Sequence, residues 1–203
     1  MVTIAKPKPR GPWQDAHFVG GHPVLDLTNT VFHRASPVED NELLKSPADV
    51  LSWFKSVGLF KTAPSLTDAA ARKLVLEVQD VRENVWSVFD AVSRGEAVPT
   101  EAFGALLERA GAGVRSRHIP RIEPALDDWA VDWTQARAIP TALSMLAVHA
   151  FFTLPPNRIR ACDRCGWLFL DSSRGGRRRW CSMETCGNRE KARRHRGGEP
   201  ITD

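Results

Sequence analysis

Apolar residues recur at steps of three and four along much of this 203-residue chain, which is the period of a helix that buries one face. The longest such run extends from Thr67 to Ser93, with charged residues on its opposite side. Gly95 follows it as a helix stop. We predict a long amphipathic helix whose buried stripe consists of Leu74, Val78, Val81, Val85, Val88, Phe89 and Val92.

Three further helices are predicted on either side of this one. Ser46 is suited to cap a helix over Pro47–Val57, and Asp49 stands where it would complete a capping box. Another helix follows Pro99 and is expected to end at the Gly111-Ala112-Gly113 break. The last, apolar at most positions, spans about Pro140 to Leu154.

Two segments have less decisive patterns. Val24–Phe32 is dense in apolar residues but short enough to be either a helix or a strand. Val114–Trp133 contains Pro120 and Pro124 and alternates apolar with polar residues near its end, which indicates extended structure.

Pro155-Pro156-Asn157 is a break after the last long helix and marks a predicted domain boundary. We expect a mainly α fold with minor strands, in which a multihelical domain over residues 13–156 is followed by a small domain over residues 157–196. The ends of the chain, residues 1–12 and 197–203, are predicted to be flexible tails.

The charge is divided unevenly between these parts, although the formal net charge is only +4. Residues 157–196 contain twelve Lys and Arg against four Asp and Glu, a net charge of +8. Residues 13–156 contain thirteen Lys and Arg against eighteen Asp and Glu, a net charge of −5. A basic segment attached to an acidic body favours a polyanionic partner for that segment.

The apolar segments do not indicate a membrane protein. The most apolar window, Thr141–Leu154, is interrupted by His149 and is shorter than the roughly 18 residues that a membrane span needs. The lysines and prolines of residues 1–12 do not form the apolar core of a secretory signal. We expect a cytoplasmic protein without a membrane partner, whose thiols stay reduced.

All four cysteines lie within one short stretch in the pattern C-x2-C, fifteen residues, C-x4-C. Cysteine pairs at such spacings suit a tetrahedral zinc ion, and four thiolates leave no open position for catalysis. Two disulfides and an iron–sulfur cluster remain as alternatives, the former disfavoured in a reducing compartment. The sequence predicts one structural Zn²⁺ bound by Cys162, Cys165, Cys181 and Cys186.

The residues around the cysteines predict the local fold. Trp167–Leu170 is a short strand candidate, and Asn188–His195 has the composition of a helix. Gly166 and Gly187 are expected to allow tight turns beside the sulfurs. A knuckle, a hairpin and a helix that bears the last ligand near its start form a treble-clef zinc finger.

The same segment resembles a known family. Arg-Arg-Trp-Cys-Ser-Met at 178–183, followed by Cys-Gly-Asn-Arg at 186–189, resembles the CGNR zinc finger, and residues 20–30 resemble the opening motif of the ABATE domain that precedes it. The resemblance implies a helical domain followed by a treble-clef finger, with its ligands at the four cysteines. It also implies a bacterial regulator of transcription in the stress response.

The basic segment contains the candidate nucleic-acid contacts. Guanidinium groups suit phosphates and guanine edges, so duplex DNA is the predicted partner, with RNA as the rival because Trp167 and Trp180 could stack on unpaired bases. A solvated basic face or a protein partner is the plainer alternative. The candidates are Arg177, Arg178, Arg179, Trp180, Asn188, Arg189, Lys191, Arg193, Arg194 and Arg196.

The helical domain carries no familiar catalytic motif, so we do not predict an enzyme, although an enzyme in this domain remains the least favoured alternative. His17, His22 and His33 lie near Asp26 in sequence without the spacing of a metal site. Asp26 and Asn29 are predicted to tie the first element by hydrogen bonds. The domain could instead bind a small-molecule effector or form a homodimer.

Overall fold

The computed structural model describes residues 13–36, 39–59, 67–119, 131 and 135–197. The described part is mainly helical and has a single two-stranded sheet, which confirms the predicted fold class. Its elements are α1 (Pro23–Thr28), α2 (Pro47–Ser56), α3 (Asp68–Arg94), α4 (Thr100–Arg115), α5 (Ala138–Thr153), β1 (Ile159–Ala161), β2 (Leu168–Leu170) and α6 (Asn188–His195).

Helix α3 is the centre of the fold and contacts α1, α2, α4, α5 and the hairpin. The Thr67 hydroxyl accepts a hydrogen bond from the Ala70 amide at its start, and Gly95 ends it with a left-handed φ of 69°. Six of the seven predicted stripe residues are buried and Val92 packs against the same core, which confirms the interpretation of the pattern.

Helix α2 begins as its sequence predicts. The Ser46 hydroxyl accepts a hydrogen bond from the Asp49 amide, while the Asp49 carboxylate accepts one from the Ser46 amide. This reciprocal capping box leaves Pro47 at the first helical position, where it needs no donor. The ambiguous segment Val24–Phe32 forms the short helix α1 at its start.

Helix α4 does not end where the glycines predict. It continues through Gly111 and Gly113 to Arg115. A β-carbon on Gly113 would lie 2.2 Å from side-chain atoms of Thr141 in α5, so this glycine permits close packing of two helices. Val114 is therefore helical where extended structure was predicted. Residues 120–130 and 132–134 of that segment lie outside the described residues.

Strands β1 and β2 form an antiparallel hairpin that packs on the helical domain. Ile159 and Leu168 are buried in the same apolar core as α1 and α3. The Asn29 side chain holds the hairpin in place, because it accepts from the Leu168 amide and donates to the Leu168 carbonyl, both at 2.9 Å. The core therefore extends across the predicted boundary at residue 156.

Helix α5 is the most apolar of these helices and has buried residues along its length. Among the described residues, no helix combines the length and the apolar character needed to cross a membrane. The predicted tail at residues 1–12 and residues 198–203 of the other tail lie outside the described residues.

Candidate metal centre and basic helix

The first cysteine pair lies in a tight turn between β1 and β2. The Cys162 amide donates to the Trp167 carbonyl at 2.9 Å, and the Gly166 amide donates to the Cys162 carbonyl at 2.8 Å. Gly166 has a φ of 73°, a conformation that side chains other than glycine rarely adopt. The predicted knuckle is therefore present at this pair.

The second cysteine pair is arranged differently from the prediction. Cys186 lies in a single π-helical turn, Met183–Gly187, that leads directly into α6. Gly187 has helical dihedral angles, φ −65° and ψ −47°, and is not a turn residue. A β-carbon there would lie 2.7 Å from the Met183 sulfur and 3.2 Å from the Trp180 ring, so the glycine leaves room for these two side chains.

The four sulfur atoms form one compact, buried group in which all lie within 4.8 Å of one another. The Cys165–Cys181 and Cys181–Cys186 sulfur distances are both 3.7 Å. A tetrahedron of sulfurs about 2.3 Å from a zinc ion has edges of about 3.8 Å, whereas a disulfide needs about 2.05 Å. The donor set therefore fits one structural zinc ion and not two disulfides.

Aromatic side chains shield this group from water. Trp167 and Phe169 are buried with the cysteines, and half-buried Trp180 packs against them. Hydrogen bonds from neighbouring thiols, that of Cys165 foremost, lower the pKa of Cys162. The hydrogen bonds with Cys162 raise the pKa of Cys165 and Cys181, so these two thiols lose their protons only when a metal ion binds.

A loop from the helical domain also contacts the metal centre. The Trp167 indole N–H donates to the Val31 carbonyl at 2.7 Å, and the Ala35 amide donates to the Cys165 carbonyl at 3.2 Å. The sequence does not predict these two contacts. The Val31 carbonyl and the Ala35 amide are backbone groups more than a hundred residues from their partners, and the pattern of side chains gives no sign of them.

Helix α6 presents part of the predicted basic surface to solvent. Arg189, Lys191 and Arg196 are exposed, and so is Asn188 at its first turn. Arg177, in the loop before Cys181, is also exposed. These residues are available for contacts with a partner.

Other predicted contacts are engaged within the finger. The Arg178 guanidinium donates to the Cys181 carbonyl at 2.6 Å and lies over the Phe169 ring. The Arg179 guanidinium donates to the Asp163 carboxylate and lies over the Trp180 ring. These two arginines have roles within the fold that the charge count did not indicate.

Glu190 of α6 is buried, with only 2% of its surface exposed, and it is the centre of a cluster of ion pairs. Arg193 donates to its two carboxylate oxygens at 2.9 and 2.7 Å, and Arg194 donates at 3.0 Å. Arg164, from the first cysteine pair, lies 3.6 Å away. Hydrogen bonds from Arg193 and then Arg194 lower the pKa of Glu190 to about 2. One carboxylate thus has three arginines around it.

Two histidines of the helical domain, His17 and His22, have structural roles. His22 caps α1 by accepting from the Val24 amide, and His17 accepts from the Gln14 amide. Asp26 accepts from the Gly20 amide at 2.7 Å, as the predicted tie requires. Within the described residues, the cysteine cluster is the one group of His, Cys, Asp or Glu side chains placed to share a metal ion.

The protein is of the zinc-finger class: its helical domain is joined to a small finger that has four clustered cysteines and an exposed basic helix. The model of the ABATE family, described as "Putative stress-induced transcription regulator", matches residues 21–154, and that of the CGNR zinc finger matches residues 158–197. The chain belongs to the ABATE family and carries a CGNR zinc finger. A comparison with curated proteins gave no match.

Proposed function

We propose that this protein is a cytoplasmic, zinc-dependent DNA-binding regulator of transcription without catalytic activity, whose helical domain senses an effector or forms a homodimer. The observation that carries the proposal is the outward face of α6. Asn188, Ala192 and His195 are exposed along one face of this helix, with Arg189 and Arg196 on one side of that face and Lys191 on the other. A small centre between cationic flanks suits the major groove of duplex DNA.

The finger has enough unpaired charge to bind a nucleic-acid backbone. Among the described residues of the finger, five exposed cations have neither a carboxylate within 4.0 Å nor a side-chain hydrogen bond: Arg174, Arg177, Arg189, Lys191 and Arg196. A sixth exposed cation, Arg160, donates to the Gly176 carbonyl at 2.9 Å. If each neutralises one phosphate, the affinity for duplex falls with salt at a log–log slope of about −4 to −5.

The tryptophans favour duplex over single-stranded RNA. Trp167 is 7% exposed and its indole N–H already donates to Val31, so its ring is not available to stack on a base. Trp180 is half-buried against the cysteine cluster. Single-strand binding depends on exposed aromatic platforms, which these two residues do not supply.

Duplex binding is tested by fluorescence anisotropy with the double variant Arg189→Ala, Arg196→Ala. We expect a loss of affinity of at least about tenfold, with zinc content and circular dichroism unchanged. The control Arg109→Ala, Arg115→Ala removes two cations from α4 and should leave the affinity within about twofold. Equal losses in both double variants would contradict a role for α6.

The sensing role is supported by an open cavity of about 330 Å³ in the helical domain, to whose lining the finger contributes Ile159. Its apolar lining includes Phe89 of α3, Phe151 of α5 and Ile159 of β1. An apolar ligand bound there would contact both parts of the protein. A thermal-shift screen with small apolar metabolites, repeated on Val92→Trp to fill the cavity, should give shifts that this variant loses.

The dimerisation role is supported by exposed apolar side chains on α4 and α5. Phe152 is 72% exposed and contacts Phe103, and Leu107 is 46% exposed one turn further along α4. Light scattering of the wild type and of Phe152→Ser tests this role. A monomeric wild type would remove dimerisation from the proposal.

A further inference from the structure

The cluster around Glu190 contains more positive charge than its own carboxylate neutralises. Three guanidinium groups, those of Arg164, Arg193 and Arg194, lie within 4.0 Å of this one acidic side chain. Like charges brought together at a partly buried position repel one another, and a single carboxylate offsets only one of them. The remaining charge favours a second anion.

The guanidinium groups also retain hydrogen-bond donors. Each guanidinium has five N–H groups. Arg193 uses two nitrogens toward Glu190 and Arg194 uses one, while the Nε of Arg164 is buried without a hydrogen-bond partner among the described residues. The side chains of Arg164 and Arg193 are 26% exposed and that of Arg194 is 53% exposed, so an anion can reach the exposed parts of these side chains, although not the buried Nε of Arg164.

The cluster joins the two halves of the metal centre. Arg164 lies between Cys162 and Cys165 in the knuckle, whereas Glu190 follows Cys186 by one helical turn. The distance between Arg164 and Glu190 therefore depends on all four cysteines holding the same ion. An arginine group arranged in this way is fixed before a partner arrives, which lowers the entropy lost on binding.

We propose that Arg164, Arg193 and Arg194 form a binding site for one phosphate of the DNA backbone, and that Glu190 is the positioning residue that fixes their geometry. This proposal rests on the proposed DNA-binding function. The three arginines are not among the five exposed cations named above, because each of them is paired with Glu190, so the site adds a further phosphate contact. Phosphate oxygens accept the donors that Glu190 leaves unused.

The alternative is that the cluster only stabilises the finger or contributes bulk charge, and the two accounts predict opposite signs for Glu190→Gln. This variant removes one negative charge near DNA, so bulk charge alone would tighten binding and steepen the salt slope. If Glu190 positions the arginines, the variant weakens binding although the protein becomes more positive.

The experiment compares duplex affinity and salt slope for wild type, Glu190→Gln and the charge-matched control Glu184→Gln, whose side chain is exposed on the same finger. We expect binding by Glu190→Gln to be at least about threefold weaker, with a slope shallower by about 1. Binding by Glu184→Gln should be equal to or tighter than that of the wild type. Zinc content and circular dichroism report whether each variant is folded.

A second pair of variants applies if Glu190→Gln fails to fold. Arg164→Gln removes one arginine of the site, and Arg115→Gln removes an exposed arginine of α4 at the same net charge. We expect only Arg164→Gln to weaken binding by about threefold or more. Folded variants that bind like their controls overturn the phosphate site alone. A wild type that does not bind duplex overturns the proposed function and this site together.

Discussion

His22 is a residue at which burial and capping act together. Burial, with a smaller contribution from the charge of His149, lowers its pKa from 6.5 to about 4. The neutral imidazole accepts the hydrogen bond that caps α1. The folded protein therefore resists protonation at a position where the unfolded chain accepts a proton readily.

This difference predicts a loss of stability in acid. The pKa of His22 is lower in the folded protein than in the unfolded chain, so the unfolded state binds more protons as the pH falls from about 6.5 to about 4. The free energy of unfolding therefore decreases over that range, by up to about 3 kcal/mol. Asn also caps helices but does not titrate, so His22→Asn should flatten the dependence. Urea denaturation across this pH range measures the difference; parallel curves would contradict it.

Asn29 is the second residue whose side chain has a specific task. It satisfies both backbone groups of buried Leu168. Asn29→Ala leaves a buried donor and a buried acceptor unpaired, so we expect the free energy of unfolding to fall by about 2–4 kcal/mol. Asn29→Asp keeps the acceptor but buries a carboxylate against the Leu168 carbonyl, so at neutral pH it should destabilise the protein at least as much as Asn29→Ala. Equal stability of all three proteins in urea denaturation would show that this contact is unimportant.

At the scale of elements, the glycines of α4 have opposite roles. A β-carbon at Gly113 would collide with Thr141, whereas one at Gly104 would meet nothing within 4 Å. Gly113→Ala should destabilise the protein by about 1–3 kcal/mol, and Gly104→Ala should stabilise it by about 0.5–1 kcal/mol. Thermal unfolding distinguishes them, and stabilisation by both would contradict the close packing of α4 with α5.

The elements show what the sequence could predict. The stripe of α3, the capping box of α2 and the zinc ligands follow from local spacing, which a single chain displays directly. The extension of α4 through Gly113 depends on a neighbouring helix, and the contact of Glu190 with Arg164 forms only in the folded finger, whereas the pairs of Glu190 with Arg193 and Arg194 follow from helical spacing. The first two features arise from tertiary contact, and neither the helical period nor a charge count contains them.

At the scale of the whole molecule, the finger and the helical domain share one core. Ile159 and Leu168 of the hairpin are buried with α1 and α3, and Val31 and Ala35 bond to the knuckle. We expect zinc removal to destabilise the entire protein. Calorimetry should show one transition, lowered by more than about 10 °C on chelation. A separate low-temperature transition with the main one unchanged would indicate that the finger is independent.

The arrangement of the charged residues in the finger depends on the same metal. The four thiolates and one Zn²⁺ hold the knuckle and α6 together, and with them the cations that face outward. Loss of the ion leaves the sequence charge nearly the same but removes the arrangement of those cations. Zinc dependence therefore separates a positioned basic surface from a merely basic one.

The most direct test of this account is fluorescence anisotropy of wild-type protein on a duplex pool, titrated over a range of salt with zinc, after chelation and after zinc is restored. We expect the zinc-loaded protein to bind with a log–log salt slope of about −4 or steeper, to lose at least about tenfold in affinity on chelation, and to recover with zinc. Duplex affinity that is absent, or that is the same with and without zinc, would contradict it.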